Sequence, residues 1–363
     1  VVSISLCMIV KNEEDTIARC LESVKDIVDE INIVDTGSTD QTKEVLKRYT
    51  NRIYDFEWVH DFAKARNYAF QQATKDFILW LDADDVLLPD DQDQLKELKK
   101  NLDLSIDSVT MDYNLSTDQH GNVVSRLKRN RLVKRTNQFK WIGAVHEYLE
   151  VSGAIFHSNV AVTHHNLRHD TNRNLLIYEK QLANHIEFSP RDLFYFANEL
   201  KDHGMYLRAI EFYEKFLLTE KGWIEDNISA CSRLADCFFE LGEYKKELES
   251  NLQSFQYDQP RPEICCRLGF YFLKKKELYT AIFWYSLATE MKLSNQNLGL
   301  QYPKFSTWLP HLQLCVCYDQ LGQHKTAYEH NEKARQYSPD DSRILQNKEY
   351  LESVLLRGHK QNE

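Results

Sequence analysis

Asp82, Asp84 and Asp85 follow directly on the apolar run Phe77-Ile78-Leu79-Trp80-Leu81. Two carboxylates one residue apart suit a hard divalent cation, because Mg2+ or Mn2+ takes oxygen ligands and bridges the two phosphates of a nucleoside diphosphate. Acidic loops are common, so D-x-D alone is a weak signal. Its place gives it weight: three acidic side chains at the end of a buried strand repel one another unless they are solvated or share a cation.

A second cluster, Arg126, Lys128, Arg129, Arg131, Lys134 and Arg135, puts six cations into ten residues. Such a run is ordinarily a solvated face. It also lies just before Gly143-Ala144-Val145-His146-Glu147, which leaves a phosphate contact open, with Arg131 as the candidate. The net charge of -10 and the lack of interleaved aromatics argue against nucleic acid as a partner. The eight cysteines form no C-x-x-C pair and no zinc-like spacing, so they read as small buried thiols.

The elements that must position these residues fall into two halves of different period. From Val1 to about Asn166, short apolar runs alternate with amphipathic stretches, the pattern of an α/β layer fold. The first strand is Ile4-Val10, and the helix after it sets Ile17, Leu21, Val24 and Val28 on one face. Strand Glu30-Val34 runs into a turn at Gly37, where Ser38 and Gln41 form a capping-box pattern for a second helix. Phe77-Leu81 reads as a central parallel strand covered on both faces, and ligands of such sheets bind beyond the carboxyl ends of the strands.

The second half is helical and repeats. Arg233-Leu234-Ala235-Asp236 aligns with Arg267-Leu268-Gly269-Phe270 at an offset of 34, the tetratricopeptide period. The frame places Gly204, Gly242, Lys276 and Gly322 at the turns between paired helices, and Ala209, Ala281 and Ala327 at close-packed positions where the second repeat has Glu247. About four degenerate hairpins are expected, with an insertion near Asn295-Lys304. The domains expected are 1–166 catalytic, 167–190 a linker containing a helix Asn174-Glu187, and 191–363 helical repeats.

The series Met8-Ile9-Val10-Lys11-Asn12-Glu13-Glu14, Ile33-Val34-Asp35-Thr36-Gly37-Ser38-Thr39-Asp40, Asp61-Phe62-Ala63-Lys64-Ala65-Arg66-Asn67, Leu81-Asp82-Ala83-Asp84-Asp85 and Gly143-Ala144-Val145-His146-Glu147 resembles glycosyltransferase family 2. With the helical tail, the whole is similar to the peptide S-glycosyltransferases that modify cysteine in glycocin bacteriocins. The resemblance implies an α/β GT-A fold with a Rossmann-like, mostly parallel sheet, followed by an all-α tetratricopeptide-like domain. It also implies an inverting mechanism, Mg2+ or Mn2+, and a UDP-sugar donor, UDP-glucose foremost.

By that resemblance Val10 and Asn12 lie beside base and ribose, and the uracil contact falls to Asp35 or Thr36. Arg66, next to Asn67, sits near the diphosphate, a role suited to its planar fork; the alternative is that both are surface residues of a helix Ala63-Ala73. Asp82 contacts ribose or metal, Asp84 the metal. His165 matches a position that completes the cation's coordination, while neighbouring His164 points the opposite way on a strand. Direct displacement at the anomeric carbon needs a base on the acceptor side. Glu147, beside His146, is the candidate, against a solvated Glu or a helix cap.

The leading function is transfer of a hexose from a UDP-sugar to a peptide side chain, the thiol of a cysteine in a bacteriocin precursor, with the repeats holding the peptide or a second copy. The alternatives are transfer to a lipid-linked or cell-surface glycan, and a tetratricopeptide scaffold without activity. No apolar stretch approaches the roughly 20 residues of a membrane span. No signal peptide opens the chain, so a cytoplasmic location is expected.

Overall fold

The computed structural model describes residues 1–118, 123–165, 172–291 and 299–360. Asn166, the expected boundary after it, and residues 295–298 of the expected insertion lie outside the described residues. The first unit, ending at Tyr195, contains β1 (Ile4–Val10), α1 (Ile17–Glu22), β2 (Glu30–Asp35), α2 (Thr42–Leu46), β3 (Ile53–Asp55), α3 (Phe62–Gln71), β4 (Phe77–Trp80) and β5 (Asp85–Val86). It continues with α4 (Pro89–Asn101), β6 (Ser108–Thr117), β7 (Val123–Lys134), β8 (Lys140–Ile142), β9 (Tyr148–Glu150), β10 (Ile155–His164) and α5 (Arg173–Ala183).

The main sheet runs β3-β2-β1-β4-β7-β6-β10-β5, and β8 and β9 form a small second sheet. β3, β2, β1 and β4 are mutually parallel, as are β6 and β10, whereas β7 is antiparallel to both of its neighbours. Because strand side chains alternate, β1 feeds two cores. Ile4, Leu6, Met8 and Val10 pack with Ile17, Leu21 and Val24 on one face. Cys7 packs with Ala63, Ile78, Trp80 and Trp141 on the other. All four residues of β4 are buried, as a strand covered on both faces requires.

The expected capping box does not form. The Ser38 hydroxyl instead accepts from Asn12 N at 3.0 Å, and it is Asp40 Oδ1 that accepts from Thr42 N at 2.9 Å where α2 begins.

The second unit, from Phe196 on, is built of helices. α6 (Pro190–Asp202) leads into it, followed by α7 (Tyr206–Leu218), α8 (Ile224–Glu240), α9 (Tyr244–Gln253), α10 (Pro262–Lys274) and α11 (Leu278–Glu290). Next come α12 (Trp308–Gln320), α13 (His324–Tyr337) and α14 (Ser342–Lys360). The four turn positions read from the sequence all carry a positive φ: Gly204 72°, Gly242 75°, Lys276 61° and Gly322 73°. At each the chain reverses with a backbone N–H returning to the preceding helix, as from Lys276 N to Leu273 O at 2.9 Å. Ala209, Ala281 and Ala327 are wholly buried, and Glu247, in the same slot, is 7% exposed with its carboxyl pushed up by burial. All eight cysteines are buried and free. Among the described residues no helix is long and apolar enough to cross a membrane.

Candidate functional site

A cleft of about 460 Å³ opens beyond the carboxyl ends of β1, β2 and β4. Val10, Thr36, Arg66, Asp82, Asp84, His146 and Glu147, all singled out from the sequence, line it.

The acidic end of β4 is closed by its own backbone. Asp85 N donates to Asp82 O at 3.1 Å, and Asp82 N to Asp85 Oδ2 at 3.0 Å. Asp85 then pairs across strands with His164, the last residue of β10. His164 Nδ1 lies 3.6 Å from Asp84 Oδ1 and 3.6 Å from Asp85 Oδ1, and the Tyr113 hydroxyl is hydrogen-bonded to it at 2.9 Å. The ligand atoms of Asp84, Asp85 and His164 all fall within 4.8 Å of one another.

The imidazole that meets the carboxylates is therefore that of His164, not His165. Strand alternation decides it: with His164 paired to Asp85, the next side chain faces away. His165 is exposed, and it ties the loops through its backbone, donating to Asp84 O at 2.9 Å and accepting from Arg19 Nη2 at 3.0 Å. Asp82 also stands apart from the cluster, because Arg66 Nη2 holds its Oδ1 at 2.7 Å.

Charge is distributed unevenly over these groups. Burial, with Asp82 and Asp85 beside it, pushes the Asp84 carboxyl up to about 6, against the opposing influence of His164. Asp82 is half-buried, and desolvation works against its charge, but Arg66 and Arg131 outweigh that and hold it below the usual carboxylate range. His164 is raised: burial opposes its charge, and Asp85 and Asp84 more than offset it. Asp85 Oδ1 is buried without a hydrogen-bond partner. Two carboxylates, one with an orphaned oxygen, and an imidazole form a donor set that fits Mg2+ or Mn2+.

Arg131 is not at the phosphates. In the β6–β7 ladder Val109 faces Leu132 and Thr110 faces Asn130, so Arg131 is the extra residue of a bulge, a device that re-aims a side chain. It points inward, fully buried, with its guanidinium 3.9 Å over the Trp80 ring and 4.3 Å over the Tyr113 ring. Its Nη1 meets Asp85 Oδ2 at 3.0 Å. It holds the acidic turn from below.

Glu147 is set by a strained loop. Gly143 has φ +100°, where a side chain is disfavoured. His146 has φ 51°, and its carbonyl accepts from Arg191 Nε at 3.0 Å while its ring stacks on Tyr195 at 4.2 Å. The loop is tied to α3 by Phe62 N donating to Ala144 O at 2.9 Å. Glu147 thereby reaches Arg66, whose Nε donates to Oε1 at 2.6 Å. Arg66 is itself cradled, 5.2 Å over Trp80 and 4.8 Å over Trp141. One guanidinium thus links the acidic end of β4 to the Glu147 loop.

Three further candidates, Asn67, Asn12 and Asp35, do not line the cleft but fix the backbone around it. Asn67 exchanges hydrogen bonds with the backbone of Trp141, both at 2.9 Å, fixing β8 against α3. Asn12 Oδ1 accepts from Thr39 N at 2.8 Å. Asp35 Oδ1 accepts from Gly37 and Ser38 N, both at 2.9 Å, while its Oδ2 is buried and without a partner at the end of β2. Sequence reasoning missed Tyr113, Arg129, Trp58, Phe62, Trp80 and Trp141 as cleft residues. Only Trp80 stands at a strand end; Tyr113, Arg129 and Trp141 lie within strands, Trp58 precedes α3 and Phe62 opens it, so no shared local pattern marks them.

Residues 5–154 match the family model Glycosyl transferase family 2. A TPR repeat-containing protein of Synechococcus elongatus is 40% identical over 132 residues, 35% of this chain and 32% of that protein. The SPbeta prophage-derived glycosyltransferase SunS of Bacillus subtilis is 29% identical over 227 residues, 59% of this chain and 53% of that protein. The chain thus spans about a third to a half of the length of these relatives. Among solved structures, the MamA protein aligns with TM-score 0.37 and 18% identity, over 46% of this chain and 82% of that one.

Proposed function

With an N-terminal domain of glycosyltransferase family 2 as premise, we propose that the cleft transfers a hexose, with inversion, from a UDP-sugar to a peptide side chain, the thiol of a cysteine. The observation that carries this reading is that Asp84 and His164, with Asp85 behind them, line the same cleft as the Glu147 carboxylate, which Arg66 links to the neighbouring Asp82.

The nucleotide lies over the ends of β1 and β2, where Asp35 Oδ2 faces the uracil and Val10 and Thr36 line the wall. Asp84, Asp85 and His164 would hold Mg2+ or Mn2+, which would supply charge stabilisation to the departing diphosphate. Arg66 positions Glu147 while its other nitrogen is occupied by Asp82. The sulfur attacks the anomeric carbon from the face opposite the diphosphate. The S–C bond forms as the C–O bond breaks, UDP leaves with the bonding pair, and the thiol proton passes to Glu147. A thiol with a reference pKa of about 8.5 is a few per cent ionised at neutral pH, so a carboxylate base suffices. In this reading the helical hairpins, like other stacked repeats, offer a surface for the peptide or for a second copy.

The test is incubation with UDP-glucose and related UDP-sugars, Mn2+ and cysteine-containing peptides, read by mass spectrometry. A hexose addition on cysteine that survives base treatment is expected. Modification of a glycan acceptor with none of any thiol sinks the peptide reading.

A further inference from the structure

The cationic side chains of the cleft differ in what answers their charge. Arg66 is matched by Asp82 and Glu147. Lys11 is exposed, as is Arg173, which lies 4.8 Å over the Phe62 ring. Arg129 is half-buried in the wall, and among the described residues no carboxylate pairs with it. The groups that act on it are Tyr195, Arg131, Arg191 and Tyr113, two phenols and two cations; burial and the neighbouring cations lower its affinity for its proton. A guanidinium partly withdrawn from water without an anion is unfavourable, and a bound anion offsets that cost.

Its place in the sheet says which anion. β2 and β1 lie on one side of β4, and β7 on the other. Arg129 stands on β7 opposite Met111 of β6, past the last β4–β7 pair, Leu79–Leu132. With strands about 4.8 Å apart, it sits about 10 Å across the sheet from β1, away from the nucleotide wall. Tyr195, among its neighbours, stacks on His146, next to Glu147. The side of the cleft that holds Arg129 is the side of the base, where the nucleophile must lie.

We propose that Arg129 is an acceptor-recognition residue that pairs with a carboxylate of the acceptor peptide near the modified side chain. The proposal rests on the peptide-acceptor reading of the same site. A planar fork with parallel donors matches a carboxylate in two bonds, which gives register as well as attraction.

The experiment uses the full chain, UDP-glucose, Mn2+ and synthetic seven-residue peptides with a central cysteine and a single Glu or Gln at each flanking position in turn. For at least one position Glu raises kcat/KM over Gln by about tenfold, chiefly through KM. In R129Q that ratio falls to near one, and R129K retains part of it. The dissociation constant for UDP with Mn2+ stays within about twofold in R129Q. Transfer by the wild type without any Glu preference overturns the proposal alone. So does a tenfold loss of UDP affinity in R129Q, which places the arginine on the donor diphosphate. Absence of both transfer and UDP release with every peptide sinks the transferase reading, and the proposal with it.

Discussion

Replacing Glu147 by Gln separates proton transfer from positioning, because the amide keeps the side chain's size and still offers Arg66 Nε an oxygen. Arg66 retains Asp82 at 2.7 Å and its two indole neighbours, so the fold and the donor side of the cleft are expected to hold. Weakening one charge-assisted hydrogen bond costs about 1–2 kcal/mol of stability. Losing a general base costs about 10²–10⁴ in rate, or about 3–5 kcal/mol of barrier. The transfer rate at pH 7 should therefore fall at least a hundredfold while UDP affinity changes little. A thiol acceptor adds a second signature. Its thiolate fraction is about 3% at pH 7 and a half at pH 8.5, so the E147Q rate should climb about 15-fold between them, the solvent doing what the carboxylate no longer does. Asp84, pushed up to about 6, is already mostly ionised at the start of that window and contributes little slope beside the 15-fold change. Single-turnover transfer followed by mass spectrometry at four or five pH values is the assay. A variant within threefold of wild type at pH 7 refutes the base assignment. A large loss with no recovery toward pH 8.5 points to a hydroxyl acceptor.

Asp84→Asn should abolish metal-dependent transfer yet stabilise the metal-free protein. The folded carboxyl stands near 6 against an ordinary value of 3.8, so its contribution is fully present below 3.8 and is lost as pH rises through 6. Removing the charge then gains up to about 3 kcal/mol at pH 7, read as a higher Tm without metal, and an unchanged Tm counts against the burial argument. In the helical unit, His311 and His330 hold their Nδ1 atoms 3.1 Å apart, and burial pushes both down to about 4. Unfolded, they take up protons near 6.5, so their contribution is present above that value and lost as pH falls toward 4. Urea denaturation at pH 7 and pH 5 should show His330→Gln less acid-sensitive than wild type, and an identical difference between the two pH values argues against this. Lys276→Gly relieves a side chain at φ 61°, and the expected gain in denaturation free energy is about 0.5–1 kcal/mol. A loss there means the lysine side chain contributes packing that outweighs the strain.

The parts of this molecule legible in its sequence are those governed by local periodicity. β1 and β4 announce themselves as apolar runs, and the abrupt change from Leu81 to Asp82 marks a strand end because carboxylates cannot continue a buried strand. The hairpin turns at 204, 242, 276 and 322 follow from spacing, since each stacked unit needs a reversal with a positive φ, and even Lys276 obeys. What the spacing along the chain does not carry is partnership across space. Ser38 was legible as a helix cap, yet it serves the Asn12 loop 26 residues away. Arg131 sits in a cationic run that reads as solvated, and a single bulge turns it into the core beneath Asp85.

The histidine pair shows the limit most sharply. Alternation predicts that His164 and His165 face opposite ways, and His165 is exposed while His164 is half-buried, but which one meets the carboxylates depends on β10 pairing with β5, a strand of only two residues. A slip of one residue in that pairing exchanges their roles. No hydrophobic period can register so short a strand, because Asp85 and Val86 span less than one alternation. The proposed metal-binding donor set is thus specified by tertiary contact: Arg131 fixes Asp85, Asp85 fixes the register of His164, and only then does the Asp84 carboxylate acquire an imidazole neighbour. Changing Arg131 should therefore disturb cation binding although its guanidinium touches Asp85 alone among the three ligands.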